Sequence, residues 1–156
     1  MSERIAMEMV PVEQALNALR HHVTMWHGYA FALAQKANLS PEEAAHFFME
    51  GHAPIIVATP TDPAMLAQYA RQTATTLALI GEGNNVFLEQ VGERWLIKSV
   101  ITADRPNLER WGASLDFFVR WLAEHSRMIG EPKRIEYTLW LDGDVLHVQL
   151  ALRPNE

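Results

Sequence analysis

Histidine is the residue type in this chain most suited to chemistry, and three of the seven histidines fall in one stretch. The segment HHVTMWHGYAFAL, His21 to Leu33, sets His21, His22 and His27 among Trp26, Tyr29 and Phe31. Imidazoles beside aromatic rings suit a metal, a haem or a flat ligand. On a helix, at about 100° per residue, His22 and His27 border the stripe containing Trp26 from opposite sides, and His21 points about 180° away. The three diverge and cannot meet on one ion. The segment therefore reads as the wall of a core with polar-tipped borders, from which His22 or His27 could reach a cavity beside Trp26 and Tyr29.

The remaining candidates are single residues or short spacings. Glu43-x-x-His46 has the i, i+3 spacing of carboxylate-bridged di-iron sites, but the chain has no second copy of it, and a capping box already accounts for Glu43. His125 lies near the edge of a helical apolar stripe, and Glu124 is expected to face away from it. His147 alternates with buried positions of a strand, so it is expected on the less apolar side of a sheet. Asp142-Gly143-Asp144 lacks the twelve-residue loop of a calcium site and reads as a turn. No G-x-S-x-G, P-loop or dinucleotide fingerprint is present. Of the five tryptophans, Trp26, Trp95 and Trp111 fall on expected inner faces, where they would fill the core or line a mostly apolar pocket. The candidate ligand-binding set is Trp26, His27, Tyr29, Trp95, Trp111 and His125. A single axial histidine would also suffice for haem, which keeps a haem sensor as an alternative.

The elements that position these residues follow from periodicity. Val12, Leu16, Leu19, Val23, Trp26, Ala30 and Leu33 are spaced alternately by four and three, which predicts a helix over about 12–37 with this stripe turned inward. Ser40, Pro41 and Glu43 open a short second helix with Ala44, Phe47 and Phe48 inside and Gly51 as its stop. After a proline-rich connector, Thr61 or Asp62 caps a third helix, buried through Leu66, Tyr69, Ala70, Thr73, Leu77 and Ile80 and ended by GEGNN. Period two then replaces period 3.6. VFLEQV and RWLIKSVIT flank Gly92-Glu93 as a hairpin, with Trp95, Ile97, Ser99 and Ile101 on one face. A fourth helix is expected from about Asn107 to Met128, with Leu108, Trp111, Leu115, Phe118, Leu122 and Ile129 as its main stripe. KRIEYTLWL and VLHVQLAL form the last hairpin. The two hairpins can pair into one four-stranded antiparallel sheet, apolar on one face and covered there by helices, which is an α+β single domain.

Composition bounds the function. The 156 residues suffice for one domain with a substantial core, and 49% hydrophobic with 21% charged residues is the balance of a globular protein. A net charge of −6 without a basic run argues against nonspecific nucleic-acid or anionic-membrane binding. The lack of cysteine removes disulfides, thiolate nucleophiles and cysteine-ligated metals together. No apolar run approaches a membrane span of roughly 18 residues, and the N-terminal segment does not read as a signal peptide. The expectation is a cytoplasmic protein.

The order of helical half, hairpin, long helix and hairpin with a Gly-Asp turn resembles the 4-vinyl reductase (V4R) domain and its relatives. Among these are the amino-thiazoline carboxylate hydrolase-like proteins and, more distantly, the haem nitric-oxide-binding and Golgi-transport folds. LDFFVRWLAEHSRMIGEPKRIEYTLWLDGDVLHVQLAL carries most of the resemblance, and MWHGYAFALAQKANLSPEEAAHFFMEGH is similar to the hydrolase-like group. The resemblance implies binding of a small apolar molecule and pairing into dimers. Family members often carry cysteines in the last hairpin region; this chain has none, so a cysteine-based activity does not carry over. A hydrolase alternative would need another base, such as His46 or His52. Phe117, Trp121 and Met128 form a second apolar row on the fourth helix, about 80–120° from the main stripe. That row asks for a neighbour, either the first helix or a two-fold mate, and the resemblance points to the mate as a homodimer interface.

Overall fold

A computed structural model of the chain describes residues 11–50, 62–80, 85–100, 109–110, 112 and 114–154. Among the described residues, four long helices precede or separate two hairpins: α1 (Val12–Lys36), α2 (Pro41–Glu50), α3 (Pro63–Ile80), β1 (Asn85–Val91), β2 (Arg94–Val100), α4 (Leu115–Gly130), β3 (Ile135–Asp142) and β4 (Val145–Leu152). The strands form one antiparallel sheet in the order β1-β2-β4-β3. The fold is α+β, as the change of period along the sequence predicts.

Local chemistry sets the boundaries. Ser40 and Glu43 close the capping box reciprocally: the Ser40 amide donates to the Glu43 carboxylate at 2.7 Å, and the Glu43 amide donates to the Ser40 hydroxyl at 3.1 Å. Asp62 caps α3 by accepting from the Met65 amide at 2.8 Å, with Pro63 at the first helical position. Ser114 caps α4 by accepting from the Phe117 amide at 3.1 Å. Both hairpin loops have two residues, and Gly92 (φ +63°) and Gly143 (φ +58°) open them in a conformation that L side chains rarely adopt. At Gly130 an added Cβ would lie 2.5 Å from the Ile135 carbonyl oxygen and 2.8 Å from the Tyr137 ring. That glycine is what lets the end of α4 press onto the start of β3.

The domain is layered. The inner face of the sheet carries Ile97, Ser99, Leu146, Val148, Leu150 and Ile135, all essentially without solvent contact. α3 packs on β1, β2 and β4, and α4 packs on β3. α1 and α2 lie outside these two helices: α2 against α4, α1 against α3 and, through Phe31, against α4. The outer face of the sheet is lined by Phe87, Lys98, His147 and Trp140 in one register row across all four strands. His147 stacks on Trp140 there, at 4.9 Å and 8°.

The inner stripe of α3 is borne out at Leu66, Ala70 and Leu77, with Tyr69 and Thr73 half-buried. Four other expectations are corrected. The stripe of α1 does not face inward: Val12, Leu16, Leu19, Trp26 and Leu33 are 43–76% exposed, and the buried face is Gly28, Phe31, Ala32 and Ala34. Periodicity shows that a stripe exists, whereas the packing of neighbours selects the face, and here the neighbours take the one around Phe31. On α2, Phe47 is 69% exposed. The small Ala44 and Ala45 let α2 approach α4 closely, so the contact row runs through Pro41, Ala44, Ala45, Phe48 and Met49 instead. The helix expected from about Asn107 to Met128 is not continuous: Glu109 and Arg110 are helical, but Gly112 in a positive-φ turn (φ +79°) separates them from the long helix, which begins at Leu115. Finally, Phe117 and Trp121 lie in the chain's own core with Met128 packed against it, so they are not a free dimer surface. The neighbours of that row are α1 and α2, because α4 is sandwiched between them and the sheet. The expectations at Gly51, His52, Thr61, Ile101, Leu108 and Trp111, and the GEGN of the turn after α3, lie outside the described residues.

Candidate functional site

Of the six candidate ligand-binding residues, Trp111 lies outside the described residues, and the other five do not form one site. Trp26 and Tyr29 stand on the solvent side of α1, paired edge to face at 6.5 Å. His27 donates from Nδ1 to the Val23 carbonyl at 2.7 Å, which ties its ring to its own helix. It begins a row of rings that continues through Phe31 (6.1 Å) and Trp121 (5.0 Å further) to His125, stacked on Trp121 at 4.8 Å and 15°. Two of the candidates are thus the ends of one aromatic row bridging α1 and α4, with Phe48, Phe117 and Phe118 packed around it. The indole N–H of Trp121 is buried there without a hydrogen-bond partner among the described residues. Edge and offset contacts of this kind add to the area that each ring buries, and the row reads as core.

His46 does meet a carboxylate, though not one near it in sequence. Its Nε2 lies 3.0 Å from Glu124 of α4. Glu124 also accepts two bonds from Arg127, at 2.7 and 2.8 Å, and Arg127 reaches Glu131 at 2.8 Å. The Arg127 guanidinium holds the Glu124 carboxyl below the usual carboxylate range against the opposing effect of its partial burial. Glu42 and Arg120 make a second, bidentate bridge between the same two helices. In a Ser-His-Asp triad the carboxylate serves to orient the histidine. Glu124 is instead committed to a strong cation, so the His46–Glu124 pair fastens α2 to α4.

Trp95 is the candidate residue that lines a cleft. It sits on β2, opposite Gln90 of β1 and Leu150 of β4. The cleft lies where the first hairpin, the end of β4 and the N-terminal turn of α3 meet. It encloses about 480 Å³. Pro63, Leu66, Leu152 and Pro154 form apolar walls, and Gln90, Glu93, Arg94 and Glu136 supply polar groups. The guanidinium of Arg71, on α3, lies 5.9 Å from the centre of the Trp95 ring, within cation–π range. One wall is held by Arg134, whose guanidinium donates to the carbonyls of Arg153 and Pro154 at 3.2 and 2.9 Å. Sequence reasoning marked Trp95 but missed Arg94, Glu136 and the C-terminal wall. Glu136 carries only the signature of an outward strand position, and the wall depends on a clamp between residues about twenty apart.

On β3, Tyr137 is half-buried, and desolvation raises the pKa of its phenol, opposed by a hydrogen bond with Thr73. Lys133 donates to the Tyr69 hydroxyl at 3.0 Å, with its ammonium also 4.9 Å from that ring's centre. These contacts tie α3 to Tyr137 of β3 and to Lys133 just before that strand. No helix among the described residues is long and apolar enough to cross a membrane. The sequence matches no protein-family model, and no curated protein is significantly similar to it.

Proposed function

We propose that the chain is a small-molecule-binding domain, and that its ligand has a flat apolar body and a polar end. The observation that carries this reading is the cleft at Trp95. Its volume of about 480 Å³ falls in the range of small-ligand sites, and it joins apolar walls to a few polar groups. The ligand's flat part would lie on Trp95 between Leu66 and Leu152, and its polar end would meet Arg94, Gln90 or Glu136.

This placement differs from the mostly apolar pocket around Trp26 and His27 expected from sequence, because the aromatic cluster on α1, α2 and α4 is filled by its own side chains. The hydrolase and haem readings draw less support. The carboxylate beside His46 is engaged by Arg127, and the rings of His27 and His125 are each held against a neighbour.

The test is native mass spectrometry of the purified protein for a retained compound, followed by ligand-observed NMR with a fragment set rich in aromatic acids and amines. Fragments that bind the wild type should lose their signal with Trp95→Ala and weaken with Arg94→Ala. A wild type that retains nothing and binds no fragment in a Trp95-dependent manner would remove this function.

A further inference from the structure

We infer that α1 is a self-association element: the stripe left exposed along it is a coiled-coil seam, and its occupant is the same helix of a second copy. Val12, Leu16, Leu19, Val23, Trp26, Ala30 and Leu33 alternate by four and three over three heptads, the strict period of 3.5 that supercoiled helices share. A helix that packs on a globular body shows a wider apolar arc with period 3.6, whereas a seam confined to two positions per heptad is the narrow kind that one partner helix covers. α1 has both. The face around Phe31 serves the body, and the seam, about 110° around the helix, is exposed at five of its seven positions.

The N-terminal part of α1 adds a second argument. Residues 11–19 are all exposed, so this end of the helix has no buried side among the described residues. Isolated helical segments this short are marginal in water, and a neighbouring helix is what holds such an end together.

Charge and area select the occupant. The residues beside the seam include one glutamate, Glu13, and one arginine, Arg20, with the overall charge at −6. A helix lying on an anionic lipid surface carries a basic polar face, and this one does not. Six exposed side chains, with Tyr29 beside the seam, present on the order of 600–700 Å² per helix. Two such seams face to face bury about 1,200–1,400 Å², the size of a specific interface. A second copy necessarily carries the same heptad period, and a two-fold axis satisfies both seams at once.

Sedimentation across concentration tests this independently of the cleft. The wild type should sediment at twice the monomer mass at about 100 µM. Leu16→Glu with Leu19→Glu should weaken self-association at least about a hundredfold, because charges would enter the seam. Circular dichroism of that variant should stay near that of the wild type, since both positions are exposed in the single chain. Phe47→Glu, at an equally exposed aromatic on α2, should change association by no more than about twofold. A wild type that is monomeric at that concentration, or that instead floats with neutral phosphatidylcholine vesicles as a monomer, overturns the inference. So does a dimer that the paired seam substitution leaves intact, or one that Phe47→Glu dissociates.

Discussion

Helices α4 and α1 carry the same feature with opposite outcomes. Each has two apolar rows. On α4 both are covered, one toward the sheet and the other, through Phe117 and Trp121, toward Phe31 and Phe48. On α1 one row is covered, and the other, from Val12 to Leu33, faces water. The difference follows from position in the stack. α4 lies in a middle layer with neighbours on both sides, and α1 lies in an outer layer with neighbours on one. Two apolar rows on a helix therefore show that two contacts are available. The layer decides whether the second is made within the chain.

The contrast breaks most sharply at Trp121, which is 5% exposed and touches α1 and α2 at once. Trp121→Ala should destabilise the fold by about 3–5 kcal/mol, read as a lowered midpoint in urea or guanidinium unfolding. A loss below about 1 kcal/mol would mean that the middle layer is not where α4 sits.

Gly130→Ala should cost about 1–3 kcal/mol through the clash with the Ile135 carbonyl and the Tyr137 ring. Thermal unfolding measures it, and a neutral substitution would show that α4 does not press on β3.

Leu19→Ser on the open row of α1 should change the stability of the dilute monomer by no more than about 0.5 kcal/mol. A loss as large as that at Trp121 would place the row inside the chain's own core and erase the contrast.

The smallest effect belongs to the ion pairs that fasten α2 to α4. Glu124→Gln should lower the melting temperature by about 2 °C or less at neutral pH. The sign of its pH dependence is set by the carboxyl's depressed pKa in the fold. A depressed value makes the contribution full above the ordinary carboxylate value of 4.5 and removes it as pH falls through the folded value. Melting curves of wild type and variant should therefore converge in acid, and a gap that widens there contradicts the assignment.

Boundaries and periods were readable in the chain because they are local. The Ser40–Glu43 box, the Asp62-Pro63 start and the two glycine-led turns act within four residues, and the change from period 3.6 to period 2 separates helices from strands without reference to neighbours. The alternation of the hairpins likewise placed Ile97, Ser99 and Leu146 on one face and His147 on the other. What depended on residues far apart was not readable. His46 meets Glu124 across 78 positions, and Arg134 holds Pro154 across 20; no spacing rule connects either pair. The cleft at Trp95 draws its walls from the first hairpin, both strands of the second and α3, so it exists only once they are assembled. The fate of an apolar row is decided at the same level. Hydrophobic burial is non-directional, so a pattern of side chains states that a surface favours leaving water, and only the packed neighbours determine which of two such surfaces does.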